Sequence, residues 1–352
     1  MARLVVIAPG RGTYNRGEMG YLERFRDHPR FDLRRDIVAR ADDLRASYQR
    51  ISASEMDGAE SFRSSLHLPG ENASALIFTC TAADHALLNP EHEVVAVLGN
   101  SMGWYSTLFT GGALAFEQAF RVVETMGWHQ KDNIRGGQLI YPVVDSEWRR
   151  DIEAESRALE VLDQVKAMGE EFDASVSIRL GGFLVLAGTD RAVKLLLEKL
   201  PKVKLGANEY PFQLARHAAF HTPLMAEASN HGLYRLSSLP WAGPKIPMID
   251  GTGAIWRAHQ SSPADLRDYT LIHQVLETFD FTAALRVAIR EYNPDHLVLL
   301  GPGETLGGAI AHVIIDEGWR GIHDKRGFST AQTSDHPPLI AMNRPDQAAL
   351  VI

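Results

Sequence analysis

The sequence predicts an α/β fold in which a large domain is interrupted by a smaller insert, and three observations carry that expectation. Continuous apolar, β-branched runs at residues 4–7, 94–98 and 296–300 read as buried strands, and each runs into a glycine-containing turn. The middle of the chain changes style near Gly136, where short strands alternate with two helices in the order βαββαβ. The length, 352 residues with 45% hydrophobic and 23% charged side chains, suits one large globular domain with a smaller one attached.

Taken in order, the first strand at residues 4–7 ends at Pro9-Gly10-Arg11-Gly12, and a polar, mainly helical region is expected over residues 19–51. Residues 52–74 carry no clear pattern. The strand at 94–98 leads into Gly99-Asn100-Ser101-Met102-Gly103, with a helix over 104–109 and another over 115–126 that Gly127 is expected to stop. Then come a strand at 138–144, a helix at 146–168, strands at 174–180 and 183–187, a helix at 189–200 capped by Thr189 or Asp190, and a strand near 210–214. That order is a split-βαβ, ferredoxin-like unit. The expected division is 1–134 with 208–352 for the large domain and 135–207 for the insert. A short strand at 247–249, a helix at 265–277, the strand at 296–300 and a helix at 305–315 complete the large domain. The tail from about Arg320 to Ile352, with its prolines and weak periodicity, is expected to be extended and draped over the surface.

The net charge of −8 argues against nucleic acid or an anionic membrane as the main partner. Cys80 is the one cysteine, so an internal disulfide is excluded. The short apolar run after Met1 ends at Pro9-Gly10, too early for a signal-peptide core, and no apolar stretch is long enough to span a bilayer. A cytoplasmic monomer is the expectation.

The chemistry concentrates at Gly99–Gly103. A serine between glycines, after a strand and before a helix, is the setting of a nucleophile elbow, and it makes the large domain α/β-hydrolase-like. The sharp turn points the Ser101 hydroxyl into a cleft, and the Met102 N–H points the same way, ready for an oxyanion. Such a serine needs a base. The chain has 14 histidines. His312, His323 and His336 lie late enough for a hydrolase order. His221 precedes Pro223, which marks a turn or helix start directly after it. Residue chemistry alone leaves these candidates open.

Four separated segments resemble the malonyl-CoA:acyl-carrier-protein transacylase family. Residues 9–12 (PGRG) are similar to its PGQG loop, 99–106 (GNSMGWYS) to GHSLGEYS, 219–225 (AFHTPLM) to AFHSPLM, and Gly301-Pro302-Gly303 with Leu306 to a late GPGxxL turn. The resemblance extends from Met1 to about Glu317 and leaves out the tail. It implies Ser101 as nucleophile, His221 as base, Gln274 as the residue whose backbone carbonyl orients that histidine, and the N–H groups of Arg11 and Met102 as the oxyanion hole. It also implies ping-pong transfer of an acyl group from acyl-CoA to the phosphopantetheine thiol of an acyl carrier protein, in fatty acid or polyketide synthesis, with no bound cofactor.

The sequence departs from the family at the acyl pocket. The family arginine that pairs with the malonyl carboxylate is matched by Met126, which fills space and cannot neutralise a charge. An uncharged short acyl group such as acetyl or propionyl therefore fits better, and Phe220 beside the histidine resembles the family's small-extender signature, which implies an unbranched one. Arg11 replaces a glutamine. The simpler reading uses only its N–H and leaves the side chain in solvent; the other lets its guanidinium take over the carboxylate. Asn100 and Trp104, at the family's histidine and glutamate, are expected to keep a local hydrogen bond and to fill space. An acyl-thioester hydrolase using the same Ser-His pair is the alternative function. Residues 301–307 lack the spacing and the βαβ context of a dinucleotide fingerprint, and His217 with His221 lack the glutamate of a zinc-binding HExxH, so no metal is expected.

Overall fold

The computed structural model describes residues 1–131 and 133–352. Its strands are Arg3–Ala8 (β1), Glu93–Gly99 (β2), Gly137–Pro142 (β3), Ala174–Leu180 (β4), Phe183–Gly188 (β5), Val203–Leu205 (β6), Asn208–Tyr210 (β7), Phe212–Gln213 (β8), Met248–Ile249 (β9), Ile255–Trp256 (β10), Phe279–Asp280 (β11), His296–Leu299 (β12) and Leu339–Ala341 (β13). The main sheet has the order β10-β9-β2-β1-β12-β13 and is parallel except for β10. Leu4 to Ala8 of β1, at its centre, are all buried. That is why the run is continuously apolar: a strand covered on both faces has no polar side to show.

The second sheet has the order β11-β4-β5-β3-β8. Its β4-β5-β3-β8 part is antiparallel, and helices Ile152–Lys166 and Asp190–Lys199 supply the crossovers, as the ferredoxin-like pattern requires. Alternation along β5 joins two cores. Leu184 and Leu186 pack in the insert's own cluster, while Val185 between them packs in the main one. The edge strand β11 comes from the later chain and runs parallel to β4, so the two sheets share a continuous segment of backbone.

Several expected elements differ. The helix placed at 19–51 starts only at Phe31, after two 3₁₀ turns, and ends at Ser47. Helix Gly70–Leu87 has no counterpart in the sequence reading, because it is buried on nearly every side and so shows no polar stripe to mark its period. The helix expected to stop at Gly127 continues, as Phe116–His129. Gly127 is a crossing point instead: a Cβ there would lie 2.8 Å from the Gly70 carbonyl oxygen. The helix at 146–168 shortens to Ile152–Lys166. The segment near 210–214 splits between β7, which pairs with β6, and β8, which pairs with β3. The tail is not draped on the surface. It forms helix Lys325–Gln332 and β13, paired in parallel with β12, and Ile340, Met342 and Val351 are buried. Three short residues of strand flanked by prolines gave too little periodicity to read. No helix among the described residues is long and apolar enough to cross a membrane.

Candidate active site

Strand β2 delivers the elbow. Ser101 adopts φ 53°, a left-handed conformation that a non-glycine residue holds only when its surroundings force it. The turn is tight enough to demand its glycines: a Cβ on Gly103 would sit 2.3 Å from the Ala8 carbonyl oxygen. Helix Gly103–Thr110 starts directly after, so the serine lies at a helix N-terminus.

His221 comes from the loop that follows the insert, just before the 3₁₀ turn Pro223–Met225. Its Nε2 lies 2.8 Å from Ser101 Oγ, and its Nδ1 lies 2.5 Å from the Gln274 carbonyl oxygen. A carbonyl only accepts, so Nδ1 carries the proton and Nε2 presents its lone pair to the serine hydroxyl. The Gln274 carbonyl is free for this because its helix ends at Leu276, leaving it among the unpaired carbonyls of a helix C-terminus. Burial lowers the His221 pKa to about 4, with the Gln274 bond opposing, so the ring is neutral and able to accept a proton at physiological pH. His312, one of the three late alternatives, accepts from the Gly182 N–H.

The side chain of Gln274 adds two bonds that sequence reasoning missed. Its Nε2 donates to the Ser101 carbonyl at 3.1 Å, and its Oε1 accepts from the Tyr105 hydroxyl at 3.1 Å. Tyr105 was discoverable, since it lies one helical turn after Ser101. The insert holds the histidine loop in a similar way. Ser177 of β4 donates to the Phe220 carbonyl at 2.8 Å, and Gln138 of β3 donates to Ser177 and accepts from His217 Nδ1.

The loop after β1 meets the elbow edge-on. A Cβ on Gly10 would come within 2.7 Å of the Asn100 carbonyl oxygen. Among the described residues the N–H groups of Arg11 and Met102 donate to no other protein group, which leaves both available to an oxyanion. The turn at residues 301–303 braces this loop. Gly301 N donates to Asp84, itself paired with fully buried Arg34, and Gly303 packs against the Thr13 carbonyl.

These groups open on a cavity of about 560 Å³ whose apolar walls include Ile77, Val123, Met126, Phe220 and Leu306. Met126 and Phe220, the residues expected at the acyl pocket, line the same cavity as Ser101. The simpler expectation for Arg11 fails. Its side chain turns into the cavity wall, where Nη1 donates to Gln130 Oε1 at 2.5 Å and Nη2 to the Arg216 carbonyl at 2.8 Å. Asn100 does not keep a local bond, since its buried Oδ1 has no partner. Trp104 fills space, edge-on to Tyr269, and its Nε1 donates to Thr270.

No family model matches the chain. Over 216 residues the chain is 24% identical to the malonyl CoA-acyl carrier protein transacylase of Bacillus subtilis, an alignment covering 61% of this chain and 63% of that protein, a little under two thirds of its length. A malonyl-CoA:acyl carrier protein transacylase from Xanthomonas oryzae superposes with a TM-score of 0.74 at 19% identity, covering 98% of this chain and 96% of that one. A type II polyketide malonyl-transacylase, solved in complex with its acyl-carrier protein, gives 0.74 at 18% identity over 99% of this chain and 98% of that one. The curated relatives and most of the similar solved structures are named as this transacylase or S-malonyltransferase, and the structural match shows that the fold is shared.

Proposed function

We propose that the protein transfers a short acyl group, malonyl in the first instance, from CoA to the phosphopantetheine thiol of an acyl carrier protein through an acyl-Ser101 intermediate. The observation that carries this reading is the connected set Ser101 Oγ, His221 and the Gln274 carbonyl beside a largely apolar cavity that Ser101 and Gln274 line. The names borne by the relatives support the substrate class, and the carrier-protein complex of one structural neighbour supports the partner.

In the first half-reaction Ser101 Oγ attacks the thioester carbonyl carbon as Nε2 of His221 takes its proton. The carbonyl oxygen becomes an oxyanion facing the N–H groups of Arg11 and Met102. Collapse breaks the carbon–sulfur bond, and His221 returns the proton to the departing thiolate, giving free CoA. In the second half the carrier thiol gives its proton to His221 and attacks the acyl-serine, and Ser101 regains its hydrogen. All the working groups belong to the protein. The Gln274 carbonyl stabilises the ring while it is doubly protonated, the part an aspartate plays in hydrolase triads.

Intact mass spectrometry after brief mixing with acyl-CoAs tests this. Wild type is expected to gain the mass of one acyl group, and Ser101→Ala to gain none. An acyl-enzyme that persists in buffer and is discharged by a carrier protein supports transfer. Rapid loss to water without a carrier replaces transfer with thioester hydrolysis, and absence of any adduct defeats both.

A further inference from the structure

The cavity beside Ser101 holds one charge. Among the described residues lining it there is no Asp, Glu or Lys and a single Arg, Arg11. Among the described residues its guanidinium has two hydrogen-bond partners, both neutral: the Gln130 side-chain oxygen and the Arg216 carbonyl. They occupy two of its five N–H groups. Among the described residues the guanidinium forms no ion pair within 4.0 Å, and Glu71 is the acidic side chain whose charge acts on it. Burial lowers the Arg11 pKa to about 10, which leaves it cationic at neutral pH. A cation set in a largely apolar wall is costly unless something compensates it. Gln130 caps the C-terminal end of helix Phe116–His129, a negative dipole end, but the guanidinium also lies against Gly70, the first residue of helix Gly70–Leu87, whose positive end offsets that help. Among the described residues no carboxylate supplies the rest.

Gln130 fixes where the charge sits. It is buried, its Nε2 donates to the Met126 carbonyl at 3.3 Å, and its Oε1 therefore faces Arg11. Arg11 is thereby tied to the same turn of helix that carries Met126, on the wall of the cavity that Ser101 also lines. Met126 itself is an apolar neighbour and holds no anion.

We propose that Arg11 is the specificity-determining cation of this site and that it selects acyl groups bearing a free carboxylate, the carboxylate completing an ion pair that the described residues leave open. This rests on the acyl-serine reading for the acyl group's position. It reassigns Arg11 from a residue that contributes only its backbone to one that contributes both N–H and side chain. Guanidinium suits the task because its planar fork can pair with both oxygens of a carboxylate.

Two experiments separate this from the transfer reading. The first is calorimetric binding to Ser101→Ala, which needs no chemistry. Malonyl-CoA is expected to bind more tightly than acetyl-CoA, and adding Arg11→Gln to remove most of that preference, on the order of 100-fold. Gln130→Glu in place of Arg11→Gln places a carboxylate against the guanidinium without touching the oxyanion loop. It is expected to reduce the preference in the same direction by at least about 10-fold. The second is the malonyl-to-acetyl ratio of Ser101 loading rates in the single variants, expected to fall in parallel. The proposal is overturned if Ser101→Ala binds the two thioesters equally, if the preference survives both substitutions, or if both acyl groups are affected alike, which would make Arg11 a structural clip between loop and helix. Carboxylate-dependent binding with no loading of Ser101 by any thioester would sink the transfer reading and leave the Arg11 assignment standing.

Discussion

Replacing Gln274 by alanine leaves its backbone carbonyl in place and removes its bonds to the Ser101 carbonyl and the Tyr105 hydroxyl. Acylation of Gln274→Ala is therefore expected to fall only about 10-fold, against about 1,000-fold for His221→Ala, which loses the base itself. The same change strands a buried tyrosine hydroxyl and should lower stability by about 1–3 kcal/mol, read from the denaturant midpoint. A fall as deep as that of His221→Ala would mean that the side chain, and not the carbonyl, is the orienting group. The lowered pKa of His221 sets the pH dependence. Below about 4 the ring holds a proton on Nε2 and cannot accept another, so kcat/KM for acylation should stay level as pH falls through 6.5 and drop only toward 4. An acid limb centred near 6.5 would contradict the buried, neutral ring. At this scale the sequence was informative about backbone-dictated positions and poor on side-chain direction. Gly99, Ser101 and Gly103 were legible because one turn geometry needs them all. The inward course of Arg11 was not, because it depends on Gln130, far along the chain and in no motif.

Helices Gly70–Leu87 and Phe116–His129 cross where Gly127 meets the Gly70 carbonyl. Alanine is the better helix former by about 1 kcal/mol, yet its Cβ would be set 2.8 Å from that oxygen. Gly127→Ala is therefore expected to lower stability by about 1–3 kcal/mol despite the propensity gain, as overpacked contacts do. Because Met126 is the adjacent residue, it should also shift the acyl preference. Unchanged or higher thermal stability would show that the crossing relaxes freely. Strands read well from sequence where both neighbours are strands of the main sheet, as for β1, β2 and β12, since full burial imposes an unbroken apolar run. Helices read well only when half exposed. Asp190–Lys199 has a clear polar face and was placed within a residue, while Gly70–Leu87 was invisible for lack of one.

For the molecule as a whole, the buried histidines govern acid stability. Burial lowers His221 and His312 to about 4. Between that value and 6.5 the unfolded chain binds protons that the native state does not, so stability rises with pH across this window and is lost as pH falls. Each contributes a loss of about 2 kcal/mol by pH 5 relative to pH 7, a sizeable share of the roughly 5–15 kcal/mol of a typical domain. His312→Asn, whose amide oxygen can still accept from Gly182, should flatten the denaturant-midpoint profile between pH 7 and 5 by its share; an unchanged profile would mean the ring is already protonated or hydrated at neutral pH. The two-part α/β layout was legible because its strands are separated by glycine turns and its insert has a distinct rhythm. The closure of the main sheet by the tail was not, because β13 is too short to show a period. The central position of β1 has a further consequence, one for synthesis. Arg3 and Asp295, bonded where β1 meets β12, are 292 residues apart. At about 5–20 residues per second a ribosome needs on the order of 15–60 s to make that span. For that interval one side of an apolar strand waits without its hydrogen-bonding partner, so the nascent chain should depend on holdase chaperones more than a protein whose first strand lies at the sheet's rim.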